Sequence, residues 1–487
     1  VCEIAHPVFH PLAIYSRDHV EEIFAGRVSG TRSGMQSLQA RRPFVRADEV
    51  ELARALLDDI ALVSSDQVPL LADRGALYAY SAHTGVWTEL VYERLVGFLA
   101  GYAGARISSR RGAGGVVKLS HGMIKSTIRC AIDLAYKPGY FDNAVRGVAF
   151  SNAFLAVDPD GTIRPSPHMP ENRATCSFPF AYTPATTAPR FHRFLDEIFR
   201  GDADAADKQS ALAEFYGACL IGVATKFQRA VVLQGDGANG KGTLINIMNA
   251  LFPGNAVQSI PPQQMDDPYR RAVLAGVRLN RVSELPEADI LHSESFKAIV
   301  AGDVISARHP YGRPFQFRPA AGHIFSGNAM PAVSDQTHAF WRRFLVIPFK
   351  RIFAEAEWEL NLHETVVSAE LPGIAAWAIE GASRLLRRGR YLEPASATQA
   401  KRDWQEATDQ VLQFLHVRTV PAPAPDITAM RLYADYRLWA TWNGHSPMSS
   451  TKFFSRLRSA GHTPHRDAEN RLYRLTLITS PTREQPS

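Results

Sequence analysis

The sequence predicts an α/β protein built on a mainly parallel sheet, with a mainly helical region before it and a small basic module after it. Three observations carry that prediction. Short apolar runs (AVVLQG, VRLNRVSE, GHIFSGN, RRFLVIPF) alternate with helical patterns such as LINIMNALF, the texture of parallel strands covered by helices. A glycine-rich turn, GDGANGKGT, joins the first of those runs to a helix. Beyond a proline-rich hinge at Pro421 to Pro425, eight basic residues (Arg431, Arg437, Lys452, Arg456, Arg458, Arg466, Arg471, Arg474) stand against three acids (Asp435, Asp467, Glu469). Such a local surplus is an electrostatic footprint suited to a phosphate backbone.

Bulk properties set the frame. The 487 residues suffice for about three or four domains. With 26 Phe, 15 Tyr and 7 Trp the chain is too aromatic for a solvated polymer over most of its length. No apolar run approaches about 18 residues, so no membrane span is expected. The net charge of +6 is too mild to argue for nucleic acid by itself. Cys2, Cys130, Cys176 and Cys219 form no CxxC pair and read as reduced thiols of a cytoplasmic protein. Val1 to His10 lack a signal-peptide pattern, and the absent initiator Met is consistent with a trimmed piece of something longer.

Taken in order, Ser29 to Ser37 reads as a linker or mobile loop, and Ala47 to Leu62 as an amphipathic helix. LYAY and VWTEL flank His83, Thr84 and Gly85, a hairpin signal with aromatics on the strands. Helical patterns cover Glu93–Tyr102 and Met123–Leu134, followed by strand-like VAFSNAFLAVD and a turn at Pro159, Asp160 and Gly161. Six prolines between Arg164 and Pro189 mark a loop-rich connection, and Phe191 to Gly222 returns to helical spacing. A further helix is expected after Phe353, to about Leu386. Trp404, Trp439 and Trp442 sit in helix-like surroundings and are expected in the core.

The chemistry concentrates in the middle. Gly235, Asp236, Gly237, Ala238, Asn239, Gly240, Lys241, Gly242 and Thr243 follow an apolar strand and open a helix, and Gly-x4-Gly-Lys is the phosphate-loop spacing. Glycines let successive N–H groups point at one anion, the helix start adds its positive dipole end, and Lys241 supplies a mobile charge. The position after the lysine usually carries a metal-ligating hydroxyl; here it is Gly242, and Thr243 is the nearest substitute. A glycine-rich turn without a ligand is the competing reading. About forty residues on, Glu284 ends a strand where a Mg²⁺ ligand or water-activating carboxylate should sit, with Glu287 three residues later. That strand is interrupted by Arg278, Asn280 and Arg281, so its pattern alone is weak. Asn328 ends the strand HIFSGN and is placed to bond a γ-phosphate or water; Arg342 and Arg343 lead into the strand Phe344 to Phe349. By pattern either arginine could act on a neighbouring subunit's nucleotide. ISARH and RPFQFRP flank a turn, a hairpin that puts Arg308, His309, Tyr311 and Arg313 at or near its tip.

Together, GDGANGKGT, SELPE, SFKAIVAGDVISARHPYGRPFQFRP, FSGNAMP and FWRRFLVIPF resemble the superfamily 3 helicases, in the branch of primase-helicases of phages, phage satellites, plasmids and poxviruses. The resemblance runs over about residues 75–478 and implies an AAA+-like ATPase core. It places an unassigned segment at 1–70, the family's mainly helical N-terminal domain at 71–228, the core at 229–355, a helical lid and linker at 356–420 and a winged helix at 421–487. It implies ATP and Mg²⁺ as cofactors, with Lys241 on the β/γ-phosphates, Thr243 and Glu284 at the metal, Glu287 a second acid and Asn328 sensing the γ-phosphate. It favours Arg343 over Arg342 as the finger. A homohexameric ring in the host cytoplasm is implied, moving on single-stranded and forked DNA, 3′ to 5′, with a primase or polymerase as a further partner. Lys297, the hairpin tip and, in the C-terminal module, Lys452, Arg456 and Arg458 are the DNA contacts expected. No paired-acid or zinc-ribbon signature of priming stands out. The alternative is a DNA-binding scaffold or loader that uses nucleotide only to assemble; a small-molecule kinase would leave the arginine pair and hairpin without a role.

Overall fold

The computed structural model describes residues 44–62, 68–108, 114–158, 160–285, 293–308, 314–333, 335–466 and 471–478. Its centre is a five-stranded, all-parallel sheet, which makes the protein α/β as expected. The strands lie in the order Phe344–Pro348, Ala230–Gln234, Gly322–Gly327, Leu279–Val282, Val257–Gln258. Strands covered on both faces should be nearly continuous apolar runs, and AVVL and FLVIP are buried throughout.

One face of the sheet packs on the helices Pro189–Ile198, Ala205–Leu220 and Leu362–Arg388. The last two lie in close contact because small residues meet. A Cβ on Gly217 would come within 1.9 Å of the Ala378 carbonyl oxygen, and one on Gly381 within 2.4 Å of the Ala213 backbone. The other face packs on the helix Ser293–Ala301, the hairpin strands Ile305–Arg308 and Pro314–Phe317, and the buried rings of Trp341 and Trp404. Residues 71–228 combine helices with two small sheets, of three and four strands; the hairpin expected from LYAY and VWTEL pairs Ala76–Ser81 with Val86–Glu89.

The polar interruption of the strand Leu279–Val282 has a structural reason. Val257–Gln258 pairs with it at only two positions, after which that chain leaves the sheet edge. Fully buried Asn280 takes over the missing ladder: its Oδ1 accepts from the Ile260 N–H at 2.8 Å and its Nδ2 donates to the Ile260 carbonyl at 2.9 Å. The amide also lies 3.1 Å from Nδ1 of His323, a ring buried on the next strand. An unpaired amide there would be costly, so this side chain acts as sheet.

Burial pushes His323 down to about 4. Between about pH 4 and the ordinary histidine value near 6.5, the unfolded chain binds a proton that the folded one refuses. Stability from this ring is therefore full above about pH 6.5 and falls on acidification, by up to about 1.4 kcal/mol per pH unit. Urea unfolding at pH 7 and pH 5 should show the loss, and His323→Gln, which keeps an amide for Asn280 but does not titrate, should flatten it. An equal slope in both proteins would refute the assignment.

The C-terminal module has its own core, from Val411 to Leu475. Its order is helix Gln410–Arg418, strand Thr419–Pro421, strand Ile427–Thr428, helix Ala429–Trp442, helix Ser450–Ser459, then short strands at His465–Arg466, Arg471–Tyr473 and Leu475–Leu477. Trp404 and Trp439 are buried as expected, but Trp442 is 78% exposed and corrects that reading. The buried face of its helix carries Leu432, Tyr436 and Trp439, and a further three-residue step rotates Trp442 off that face. Among the described residues no helix is long and apolar enough to cross a membrane.

Candidate functional site

The loop from Gly235 to Gly240 leaves the strand Ala230–Gln234 and enters the helix Lys241–Asn249. Gly240 caps that helix at φ 83°, where only glycine is comfortable; a Cβ would also meet Ile198 Cγ2 at 2.6 Å. The loop is pegged on both sides, by the Gly235 N–H to the Gly327 carbonyl at 3.3 Å and by the Phe353 N–H to the Ala238 carbonyl at 2.8 Å.

Inside the loop, buried Asn239 organises the lysine. Its Oδ1 accepts from Lys241 Nζ at 3.0 Å, and its Nδ2 donates to the Asp236 carbonyl. Lys241 Nζ also donates to the carbonyls of Gly235 and Asp236. Burial pulls this ammonium below the ordinary lysine value, with Asp236 acting against the shift. The loop's own oxygens thus hold the charge in place beside the backbone N–H groups of the helix start, an anion-binding arrangement.

A cavity of about 400 Å³ opens over this loop, and its lining joins loop and helix start to the ends of the two neighbouring strands. Lys241 and Thr243 come from one side, Glu284 from the end of Leu279–Val282, and Asn328 from the end of Gly322–Gly327. Lys241, Thr243, Glu284 and Asn328 therefore share one pocket with the expected loop residues Gly237 to Gly240 and Gly242, at the carboxyl ends of parallel strands where α/β sheets receive ligands. Ser283, Ser326 and Asn246 line it too and were not singled out from the sequence; Asn246 lies one helical turn beyond Thr243, a spacing that could have revealed it. Gly242 also lines the pocket but brings no hydroxyl.

The arginines are elsewhere. The register pairs Phe344 with Ala230 and Pro348 with Gln234, so Arg342 and Arg343 stand at the opposite end of the sheet from the loop. One strand of that length spans about 16 Å. Arg343 is 8% exposed; its Nε donates to the Lys297 carbonyl at 3.3 Å and its Nη1 to the Ala339 carbonyl. Burial, then neighbouring Arg342, lowers its pKa. Arg342 is exposed and donates to Gln228 Oε1 at 2.8 Å.

The expected DNA contacts divide in the same way. Lys297 is tied to Asp335 at 3.0 Å, which holds its ammonium above the usual lysine range, and it also lies 3.4 Å from Glu294. Arg456 is turned inward, to the Gln336 carbonyl at 2.7 Å and to the buried Asp409 carboxylate. Lys452 and Arg458 are exposed on the helix Ser450–Ser459. The hairpin strands pair antiparallel from Ile305–Phe317 to Arg308–Pro314. His309, Tyr311 and Arg313, expected at or near its tip, and Glu287 lie outside the described residues.

A divalent cation fits the pocket's donors. One hydroxyl and one carboxylate, Thr243 and Glu284, suit Mg²⁺, which takes few protein oxygens and completes its shell with water and phosphate. Among the described residues no group of three or more His, Cys, Asp and Glu is placed to hold a metal alone.

Comparison with known proteins adds family matches at both ends of this geometry. Residues 233–343, from the loop strand to Arg343, match a family of unknown function (DUF5906). Residues 114–200 match the family described as D5 N terminal like. A putative helicase, L207/L206, of Acanthamoeba polyphaga mimivirus is 24% identical over 256 residues, covering 47% of this chain and 26% of that protein. Two apo structures of the NrS-1 C-terminal region align over 88% of this chain and 99% of theirs, at 12% and 11% identity and TM-scores of 0.41 and 0.42.

Proposed function

We propose that this chain is an ATP-dependent DNA helicase of a viral or mobile-element replication system, working as a ring with ATP cleaved between neighbouring copies. The observation that carries the reading is the pocket that unites Lys241, Thr243, Glu284 and Asn328 while the arginine pair stands at the far end of the same sheet. A triphosphate seated there would meet backbone N–H groups and Lys241 on one side and Asn328 at its γ end. Glu284 would orient the attacking water. Mg²⁺, held by Thr243 and Glu284, would neutralise charge on the phosphates. The remaining charge would need a guanidinium, which one copy cannot bring to its own pocket but a neighbour's Arg343 or Arg342 could. The match to a D5 N terminal like family and the naming of the mimiviral relative as a helicase support this reading.

Arg343 also offers a route from chemistry to movement. Its Nε is bonded to the carbonyl of Lys297, on the helix Ser293–Ala301 that leads directly into the hairpin. A neighbour's γ-phosphate that draws the guanidinium outward would break that bond and release the helix, so the hairpin's position would follow nucleotide state. At the C-terminus, the order helix, two short strands, helix, helix and hairpin supports a winged helix, and its last helix carries two exposed cations, Lys452 and Arg458, suited to duplex backbone.

The test is ATP turnover with and without single-stranded DNA, alongside strand separation on a forked duplex. DNA-stimulated hydrolysis and unwinding are expected. Nucleotide-dependent assembly with no DNA-stimulated turnover would favour the scaffold reading, for which Gly242 in place of a hydroxyl is the supporting observation.

A further inference from the structure

The pocket accounts for phosphates but not for a base. The sheet order says on which side a base must leave. Glu284 and Asn328 end the two strands on one side of the loop strand and mark the γ end; Phe344–Pro348 lies on the other side. There the chain continues directly over the loop. The Phe349 N–H donates to the Gln234 carbonyl at 2.7 Å, and the Phe353 N–H to the Ala238 carbonyl at 2.8 Å.

Within nine residues of this crossing segment three large apolar side chains face solvent: Ile352 at 63%, Trp358 at 56% and Leu360 at 87% exposed. Trp358 is nevertheless fixed, its Nε1 donating to the Phe353 carbonyl at 3.3 Å, the same residue whose N–H is bonded to the loop. The ion pair of Arg351 with Glu357 closes the segment on itself, and Glu359 paired with Arg190 and Arg351 Nη1 donating to the Glu197 carbonyl at 2.8 Å tie it to the helix Pro189–Ile198. An exposed indole hydrogen-bonded to the residue that is itself bonded to the loop is costly to leave in water and well suited to a flat apolar ligand.

We propose that the nucleobase of the bound nucleotide stacks on Trp358, on an apolar platform completed by Ile352 and Leu360. The proposal rests on the reading of the Gly235–Thr243 loop as a nucleotide site. It assigns the base side of that site to a segment outside the loop, strand-end and arginine elements. Stacking tolerates any π-face, so purine triphosphates should bind with little distinction between adenine and guanine.

Titration calorimetry on the full chain tests this, with ATP, GTP and inorganic tripolyphosphate as probes, on wild type, Trp358→Ala, Trp358→Phe and Lys241→Ala. Trp358→Ala is expected to weaken ATP and GTP about five- to a hundredfold while tripolyphosphate changes less than about twofold; Trp358→Phe should recover most of the loss. Lys241→Ala should weaken all three. Equal weakening of tripolyphosphate by Trp358→Ala would mean that the ring only shapes the loop, and would overturn the proposal. So would unchanged nucleotide binding, with or without loss of self-association, which would assign the patch elsewhere, to a second copy where self-association is lost. If wild type binds none of the three probes, the loop reading itself fails; if it binds them and ignores Trp358, only this inference does.

Discussion

Replacing Arg343 by alanine is expected to lower ATP turnover about 10³- to 10⁵-fold while nucleotide still binds. The effect is large because the guanidinium would meet charge that develops only in the transition state, in a pocket whose own chain supplies a single cation, Lys241, from the described residues lining it. The decisive experiment mixes subunits. Arg343→Ala copies retain an intact loop, and Lys241→Ala copies retain an intact arginine. A seam between one of each, in the right order, is whole again. Mixing two inactive preparations should therefore restore part of the turnover, and additive inactivity would refute action between copies. Arg342→Ala belongs in the same series, since that side chain is the exposed one of the pair. Arg343 also pins Ala339 and Lys297, so its variant should melt lower, and a melting curve separates that loss from the catalytic one.

Lys241→Ala should cost at least about 10²- to 10³-fold in turnover and weaken nucleotide as well, because this group would act on bound and reacting phosphates alike. Its partner substitution, Glu284→Gln, separates motor from scaffold. It preserves shape and removes only the carboxylate charge, so hydrolysis should fall while nucleotide-dependent assembly and DNA binding persist. If strand separation falls with hydrolysis, the protein is a motor. If every DNA output survives Glu284→Gln, the helicase reading is lost.

Much of the fold and part of the site could be read from residue order, for a physical reason. A strand between two helical layers must be apolar along its length, and a tight strand-to-helix turn needs glycines, so AVVL followed by GDGANGKG announces both locally. What could not be read is which partner a polar side chain finds. Asn280 looked like a flaw in a strand and is the side chain that extends it. Lys297 and Arg456 read as DNA contacts, and each is engaged by a carboxylate distant in sequence, Asp335 and Asp409. Trp358 drew no notice because its significance lies in a backbone bond between Phe353 and Ala238, more than a hundred residues apart. Trp442 followed the helical pattern of its neighbours but falls where no other element among the described residues covers it.

The sheet's polarity has one more consequence. With the glycine-rich loop at one end of the strands and the arginines at the other, a copy on the proposed reading would be a plug at one end and a socket at the other. Where loop and arginines fall on opposite faces of a copy, a dyad, which uses one and the same face of each partner, would complete neither seam, so a symmetric pair should be inert however tightly it forms. On that reading only head-to-tail addition would complete a seam, and it would leave one unfilled socket in any open string. Closing the circle removes that last defect, so turnover per copy should rise in a step when the final member arrives.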